Sequence, residues 1–185
     1  SGNTQEAVNL FKRAILADPK LIQAYVGAAA SFLTLGDLDQ AESFATQALA
    51  INESAPCINE ILGIVFQNKS KPEQAVECYQ KELEVNPQAS SSLLNLGFLL
   101  LQKGQTAAAV ESLSKASALA PSEQCSLLLA QAYQNLGQLD QALAFTLKAL
   151  EFNPHNSGTY LNLGKIFQKF GQLDQSLTST VKSIE

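Results

Sequence analysis

One histidine, His155, and three cysteines, Cys57, Cys78 and Cys125, are the residues of this chain best suited to nucleophilic or metal chemistry. A serine or cysteine nucleophile needs a base within reach, and any such pair would have to use His155, which follows Pro154 in a turn-forming stretch. The cysteines stand singly, odd in number and without C-x-x-C spacing, so neither a disulfide framework nor a zinc site is indicated. No G-x-x-x-x-G-K run offers a cradle for phosphates. These residues point to no enzyme, no metal and no cofactor, and unpaired thiols fit a reducing cytoplasm.

The composition is that of a folded chain. Of 185 residues, 46% are hydrophobic and only 16% are charged, outside the disorder-prone regime. The 12 basic and 17 acidic residues leave a net charge of -5, and Arg13 is the only arginine, whereas binding to a phosphate backbone rests on clustered Lys and Arg. Nucleic acid is therefore not an expected partner. No apolar run reaches the roughly 18 residues of a membrane span, so no membrane partner is expected either. The sequence contains no methionine, starts at Ser1 and reads as part of a longer bacterial protein.

What would position any functional side chain is a repeated helical unit. Ala7, Ala41, Ala75 and Ala109 follow one another at intervals of 34, Ala142 comes 33 later, and Ser176 after 34 more. Gly2, Gly36, Ser70, Gly104, Gly137 and Gly171 move in step. So do Pro19, Pro87, Pro121 and Pro154, with Glu53 where one proline is missing and Pro56 just beyond. Each period holds two helical patterns. Tyr160, Leu163, Gly164 and Phe167 fall at i, i+3, i+4 and i+7, on one helix face. Gly171 then closes that helix in the left-handed conformation, and Asp174 can cap or charge-stabilise the next. In the second pattern Ala142, Phe145, Ala149 and Leu150 supply the apolar stripe before Pro154 turns the chain. Pro72 stands where three other units, at Leu38, Leu139 and Leu173, start their second helix with leucine, a first-turn position whose amide would be unpaired anyway. A hairpin apolar on both flanks cannot stand alone, and a stack buries each flank against the next.

These columns resemble the tetratricopeptide repeat. In "TYLNLGKIFQKFGQLDQSL", Tyr160, Leu163, Gly164, Phe167, Gly171 and Leu173 occupy the family's aromatic, leucine, glycine, aromatic, glycine and apolar places, and the resemblance covers essentially the whole chain. It implies an all-α, right-handed α-solenoid of stacked antiparallel helix pairs. The expected units are a partial one at 1–21 with a lone second helix from Thr4 to Ala17, full ones at 22–55, 56–89, 90–122 and 123–156, and a partial one at 157–185.

Some positions depart from the pattern. The family's large residue at the start of each first helix is Tyr25, Leu93 and Tyr160 here, but Asn59 and Ser126 in two units, where packing must differ. Glu82 falls in a column otherwise filled by Ala14, Ala48, Ala116 and Ala149. A buried unpaired carboxylate is expensive, which leaves three outcomes open: a head group stretched to water, a bonded partner, or a contact surface. Gly63, Gly97 and Gly164, matched by Ala29 and Ala130, read as close helix approaches that offset the roughly 1 kcal/mol of helix propensity each glycine sacrifices. Lys81, Lys115, Lys148, Lys182 and Arg13 form a solvated face, with Glu77 and Glu111 placed for i,i+4 pairs.

The resemblance further implies a concave groove, lined by the first helices, that holds a peptide or a partner's helix. By column it takes Val26, Ala30, Leu33, Ile64, Leu94, Phe98, Leu101, Leu127 and Gln131, with Asn95 and Asn162 where family members often hold a ligand's backbone. Gln67 shares the column of Leu33 and Leu101. An amide side chain both donates and accepts, so it can pair with an extended peptide of any sequence. Only Lys165 and Lys169 add positive charge, too little for the carboxylate clamp with which some family members capture chaperone C-termini. The expected ligand is an amphipathic helix or an apolar peptide segment of another protein. The leading reading is a non-catalytic interaction scaffold. A second is the substrate-recognition region of a larger glycosyltransferase, sulfotransferase or methyltransferase, and a third is homo-oligomerisation through exposed solenoid ends.

Enlarging Ala109 or Ala142 to leucine is expected to overpack a tight helix crossing and lower unfolding free energy by about 1–3 kcal/mol in denaturant titrations. A neutral result would place these alanines away from any crossing.

Overall fold

The computed structural model describes residues 2–171, which form helices joined by short turns and contain no strand. The helices are α1 (Gly2–Ala17), α2 (Ile22–Leu35), α3 (Leu38–Ile51), α4 (Ile58–Asn68), α5 (Pro72–Val85), α6 (Ser90–Gln102), α7 (Thr106–Leu119), α8 (Glu123–Asn135), α9 (Leu139–Phe152) and α10 (Ser157–Lys169). Leu173, Asp174, Ser176 and Lys182 lie outside the described residues. The chain divides into two compact units that part between Ser92 and Leu93. In the first, α1 to α5 pack each on the next, and α2 also meets α4. In the second, α7 packs on α8, α8 on α9 and α9 on α10.

Small residues sit where the helices cross. Ala41, Ala75, Ala109 and Ala142 are each fully buried, while Ala7 in the same column is half-buried. Facing positions within a hairpin trade volume. A Cβ on Gly63 would lie 2.5 Å from the Tyr79 ring, and one on Gly97 would lie 2.5 Å from Leu113 Cγ. Where the glycine is replaced by Ala29 or Ala130, the facing column holds Ala45 or Thr146, both fully buried. In these two hairpins the missing bulk returns one position away, as the stacked rings Phe32 and Phe44 at 5.4 Å and Tyr133 and Phe145 at 5.5 Å.

The turns repeat as regularly. Gly36, Gly104, Gly137 and Gly171 all have positive φ, and so does Ser70 at 57°, the one member of the column that bears a Cβ. At four of these turns a backbone N–H reaches back five residues to close the helix: Asp37 to Phe32 O (3.0 Å), Lys71 to Phe66 O (2.8 Å), Gln105 to Leu100 O (2.9 Å) and Gln138 to Tyr133 O (2.9 Å). Ser70 accepts a left-handed strain of about 1 kcal/mol for the same bond. Gly2 departs from its column, because it opens α1 instead of ending a helix, two residues before the expected start at Thr4. At the other end of the hairpins, the side chains of Asp18, Asn52 and Asn86 accept from the N–H two residues on, at 3.0, 2.9 and 3.2 Å. The turn at Glu53 therefore closes without its proline.

Helix starts show what Glu82 is for. Asp37, Ser122 and Asn156 cap α3, α8 and α10 by accepting from Gln40, Cys125 and Thr159 N–H at 3.1, 3.2 and 3.1 Å. At α4 the cap position is Cys57, left-handed at φ 68° and without a side-chain cap bond. Glu82, fully buried on α5, supplies the acceptor instead: Oε1 takes the Cys57 N–H at 2.9 Å and Oε2 the Glu60 N–H at 3.4 Å. Of the three outcomes left open by the sequence, the bonded partner is realised, and a negative charge at a helix N-terminus is favourable. Glu82→Ala, although it restores the alanine of the column, is expected to lower stability by about 1–3 kcal/mol, and Glu82→Gln by less because its amide oxygen still accepts. Thermal and denaturant unfolding check this; an unchanged alanine variant would remove the capping role.

Candidate functional site

In the first unit, α2 carries Val26, Ala30 and Leu33 at i, i+4 and i+7, and α4, in contact with α2, carries Ile64. Ala30 is exposed, whereas Val26, Leu33 and Ile64 are half-buried, Val26 and Leu33 packing partly on the core. Gln67 is engaged internally: its Oε1 accepts from the buried Tyr79 hydroxyl at 3.0 Å, which ties α4 to α5 across Gly63. The sequence pattern shows Gln67 only as one more amide of the face.

In the second unit, α6 presents Leu94, Asn95 and Phe98, all half-buried, with Leu94, Phe98 and Leu101 at i, i+4 and i+7. Leu101 is 8% exposed and belongs to the core more than to the surface. On α8, Leu127 is half-buried and Gln131 exposed. On α10, Asn162 is half-buried, Lys165 exposed and Leu161 42% exposed. Apart from Lys165 these positions carry no charge; the first unit offers apolar side chains, and the second interleaves them with amides.

The residues with chemical potential are dispersed. His155 is exposed in the turn between α9 and α10. Among the described residues no group of three or more His, Cys, Asp or Glu converges as metal ligands would, and no helix is long and apolar enough to cross a membrane. Burial pushes the Cys78 thiol up to about 11, nearby Lys81 countering only part of it. Cys125 is raised by burial as well, and its Sγ–H donates to Leu113 O at 3.2 Å. Cys57 is exposed, yet partial desolvation and then the carboxylates of Glu82 and Glu60 raise it too. None of the three is tuned toward the thiolate. Burial likewise raises Glu60, against the opposing effect of the Ser92 hydroxyl that donates to its Oε2 at 3.1 Å. Glu60, Ser92 and Glu82 thus form a polar cluster that the column pattern does not signal, because its members are far apart in sequence. Of the two expected surface pairs, Glu111 and Lys115 join at 2.7 Å, and no ion pair joins Glu77 to Lys81.

Two sequence models, both described as Tetratricopeptide repeat, match this run of helix hairpins over residues 1–56 and 60–176. The chain belongs to the tetratricopeptide repeat family. Subunit 3 of the anaphase-promoting complex of Dictyostelium discoideum is 30% identical over 113 residues, covering 60% of this chain and 12% of that protein. The probable UDP-N-acetylglucosamine peptide N-acetylglucosaminyltransferase SPINDLY of Hordeum vulgare is 29% identical over 110 residues, again 12% of its length. The chain therefore spans a small part of both relatives. Among solved structures, YrrB, a TPR protein with an unusual peptide-binding site, aligns with a TM-score of 0.87 at 22% identity, over 96% of this chain and 92% of that one. This TPR chain is an all-α repeat solenoid, a scaffold of the kind that serves protein–protein interaction.

A disulfide-exchange reagent near neutral pH is expected to label Cys57 first, and Cys78 and Cys125 only after denaturant is added. Because the folded thiol of Cys57 is raised, its rate in the native TPR should rise with pH later than in the unfolded chain, where the ordinary thiol value applies. Equal native rates at all three cysteines would contradict this placement.

Proposed function

We propose that the faces of the first helices, uncharged but for Lys165, bind a peptide or an amphipathic helix of a partner protein, Val26, Ala30, Leu33 and Ile64 serving in the first unit. Leu94, Asn95, Phe98, Leu101, Leu127, Gln131, Asn162 and Lys165 serve in the second. The observation that carries this reading is the side-chain arrangement on α6: Leu94 and Phe98 remain half-exposed at one helical turn's spacing with Asn95 beside them, a pattern that packing alone does not require. Apolar anchors flanked by amides suit a segment that brings its own apolar side chains and backbone hydrogen bonds. Buried Leu101 contributes by holding this face in place. A scaffold ordered before binding loses little free energy to its own ordering, so a modest contact area suffices. The peptide-binding site of YrrB supports the reading at the level of fold.

A second reading has one specific support. The match to SPINDLY, an N-acetylglucosaminyltransferase, favours a TPR region that selects protein substrates for a catalytic domain elsewhere in the same polypeptide. The binding faces would be the same, and the ligand would be a substrate segment.

Peptides selected against the TPR chain from a displayed library and titrated by calorimetry test the assignment. Phe98→Asp and Ile64→Asp should each weaken binding of peptides that occupy their own unit by at least about tenfold, with far-UV circular dichroism unchanged, since buried anchors contribute on the order of 1.4 kcal/mol or more. Unaltered affinity in both variants would remove the face from consideration.

A further inference from the structure

Beside Asn59 lies a pocket of about 680 Å³ within the first unit, lined by α3, the turn after it, α4 and α5, and sharing no residue with the faces proposed above. Its origin can be read from the preceding repeat. In the column of Asn59 that repeat has Tyr25, whose ring is buried and tilted against Phe44 at 6.4 Å and whose hydroxyl donates to Pro19 O at 3.1 Å. The counterpart of Pro19 is Glu53, and Glu53 lines the pocket. Asn59 stops short of the turn that Tyr25 reaches, so the room a phenol ring fills in one repeat is left as a pocket in the next.

The most deeply set polar side chain of this pocket is Asn59. Asn59 is 4% exposed, the most buried residue of the lining, and its amide makes no hydrogen bond among the described residues. That amide meets water through the pocket, and a ligand hydroxyl that displaces this water could both donate to and accept from it. Leu49 and Val85 supply apolar wall, and Lys81, in no ion pair among the described residues, lines the pocket together with Glu53 and Glu84.

We infer that this pocket takes the phenol side chain of a tyrosine presented by a segment of a partner protein, the hydroxyl bonding the Asn59 amide and the ring lying against Leu49 and Val85. The volume lies within the roughly 300–1,000 Å³ of sites that hold drug-sized ligands, more than one ring occupies. The remainder accommodates the backbone on either side of the tyrosine, which selects a peptide over a free phenol. This inference does not depend on the peptide-binding faces, and either can fail alone.

The probes are the blocked tripeptides Ala-Tyr-Ala, Ala-Phe-Ala and Ala-Ala-Ala, together with 4-methylphenol, titrated into the whole 185-residue chain and followed by amide proton–nitrogen correlation spectra. The tyrosine peptide should cause saturable shifts at the Asn59 side-chain amide and at Ser54, Ala50 and Val85, with the phenylalanine peptide at least about fivefold weaker and the alanine peptide without effect. Ala50→Arg, an exposed change at the lining, should abolish the shifts while leaving the rest of the spectrum in place. Asn59→Tyr should fill the site from within, abolish binding and raise the melting temperature by at least about 2 °C. Absence of saturable shifts at Asn59, equal binding of the phenylalanine peptide, or 4-methylphenol binding as tightly as the tyrosine peptide would each overturn the inference.

Discussion

Two helices of a hairpin can approach only as closely as their largest facing side chains allow, and this limit on summed volume at the crossing governs the protein. Gly63 against Tyr79 and Gly97 against Leu113 place all the bulk on the second helix, while Ala29 against Ala45 and Ala130 against Thr146 divide a smaller total. The deficit in the latter hairpins is made up by ring stacks one position away, between Phe32 and Phe44 and between Tyr133 and Phe145. Interiors at crystalline density tolerate neither a void nor an extra methylene, so a change at one position of such a crossing must be answered at another. The hairpins are thus alternative solutions of one packing problem.

The second constraint is polar. Every helix end leaves backbone groups to be satisfied, and ten short helices give the chain many ends among the described residues. The repeat meets this locally with left-handed residues at one end and Asx turns at the other. Glu82 is the case in which the solution comes from another helix. A carboxylate in an alanine column reads from sequence as an anomaly, yet with Cys57 unable to cap α4 it restores two backbone hydrogen bonds at once.

What the sequence disclosed and what it withheld follow from these two constraints. Small-residue and glycine columns recur because every hairpin needs them, so the helices, the turns and the family could be read from spacing alone. Features that occur once leave no column. The pairing of Gln67 with Tyr79 removes an amide from the face proposed to bind, and Leu101, which shares its column, is drawn into the core. Gly2 keeps the register of the glycine column but opens a helix. The apolar and amide character of the proposed faces was readable, because side chains spaced at i, i+4 and i+7 share a face whatever packs behind them. The engagement of any one of them depended on neighbours 12 or more residues away, as Gln67 and Tyr79 show.

The singular features are concentrated in one repeat. Asn59, Ser70, Pro72, Tyr79 and Glu82 all fall between residues 56 and 89, where Glu82 caps the helix that Cys57 cannot, Tyr79 needs Gly63, and Asn59 lines a pocket beside the turn in which Glu53 replaces proline. Packing alone gives no reason for such concentration, since the neighbouring repeats satisfy the same crossings with ordinary residues and without a left-handed serine. In a repeat array a unit contacts only its immediate neighbours, so strain accepted within it need not propagate along the stack. A scaffold of this kind can therefore remodel one repeat for recognition while the others keep the hairpins in register.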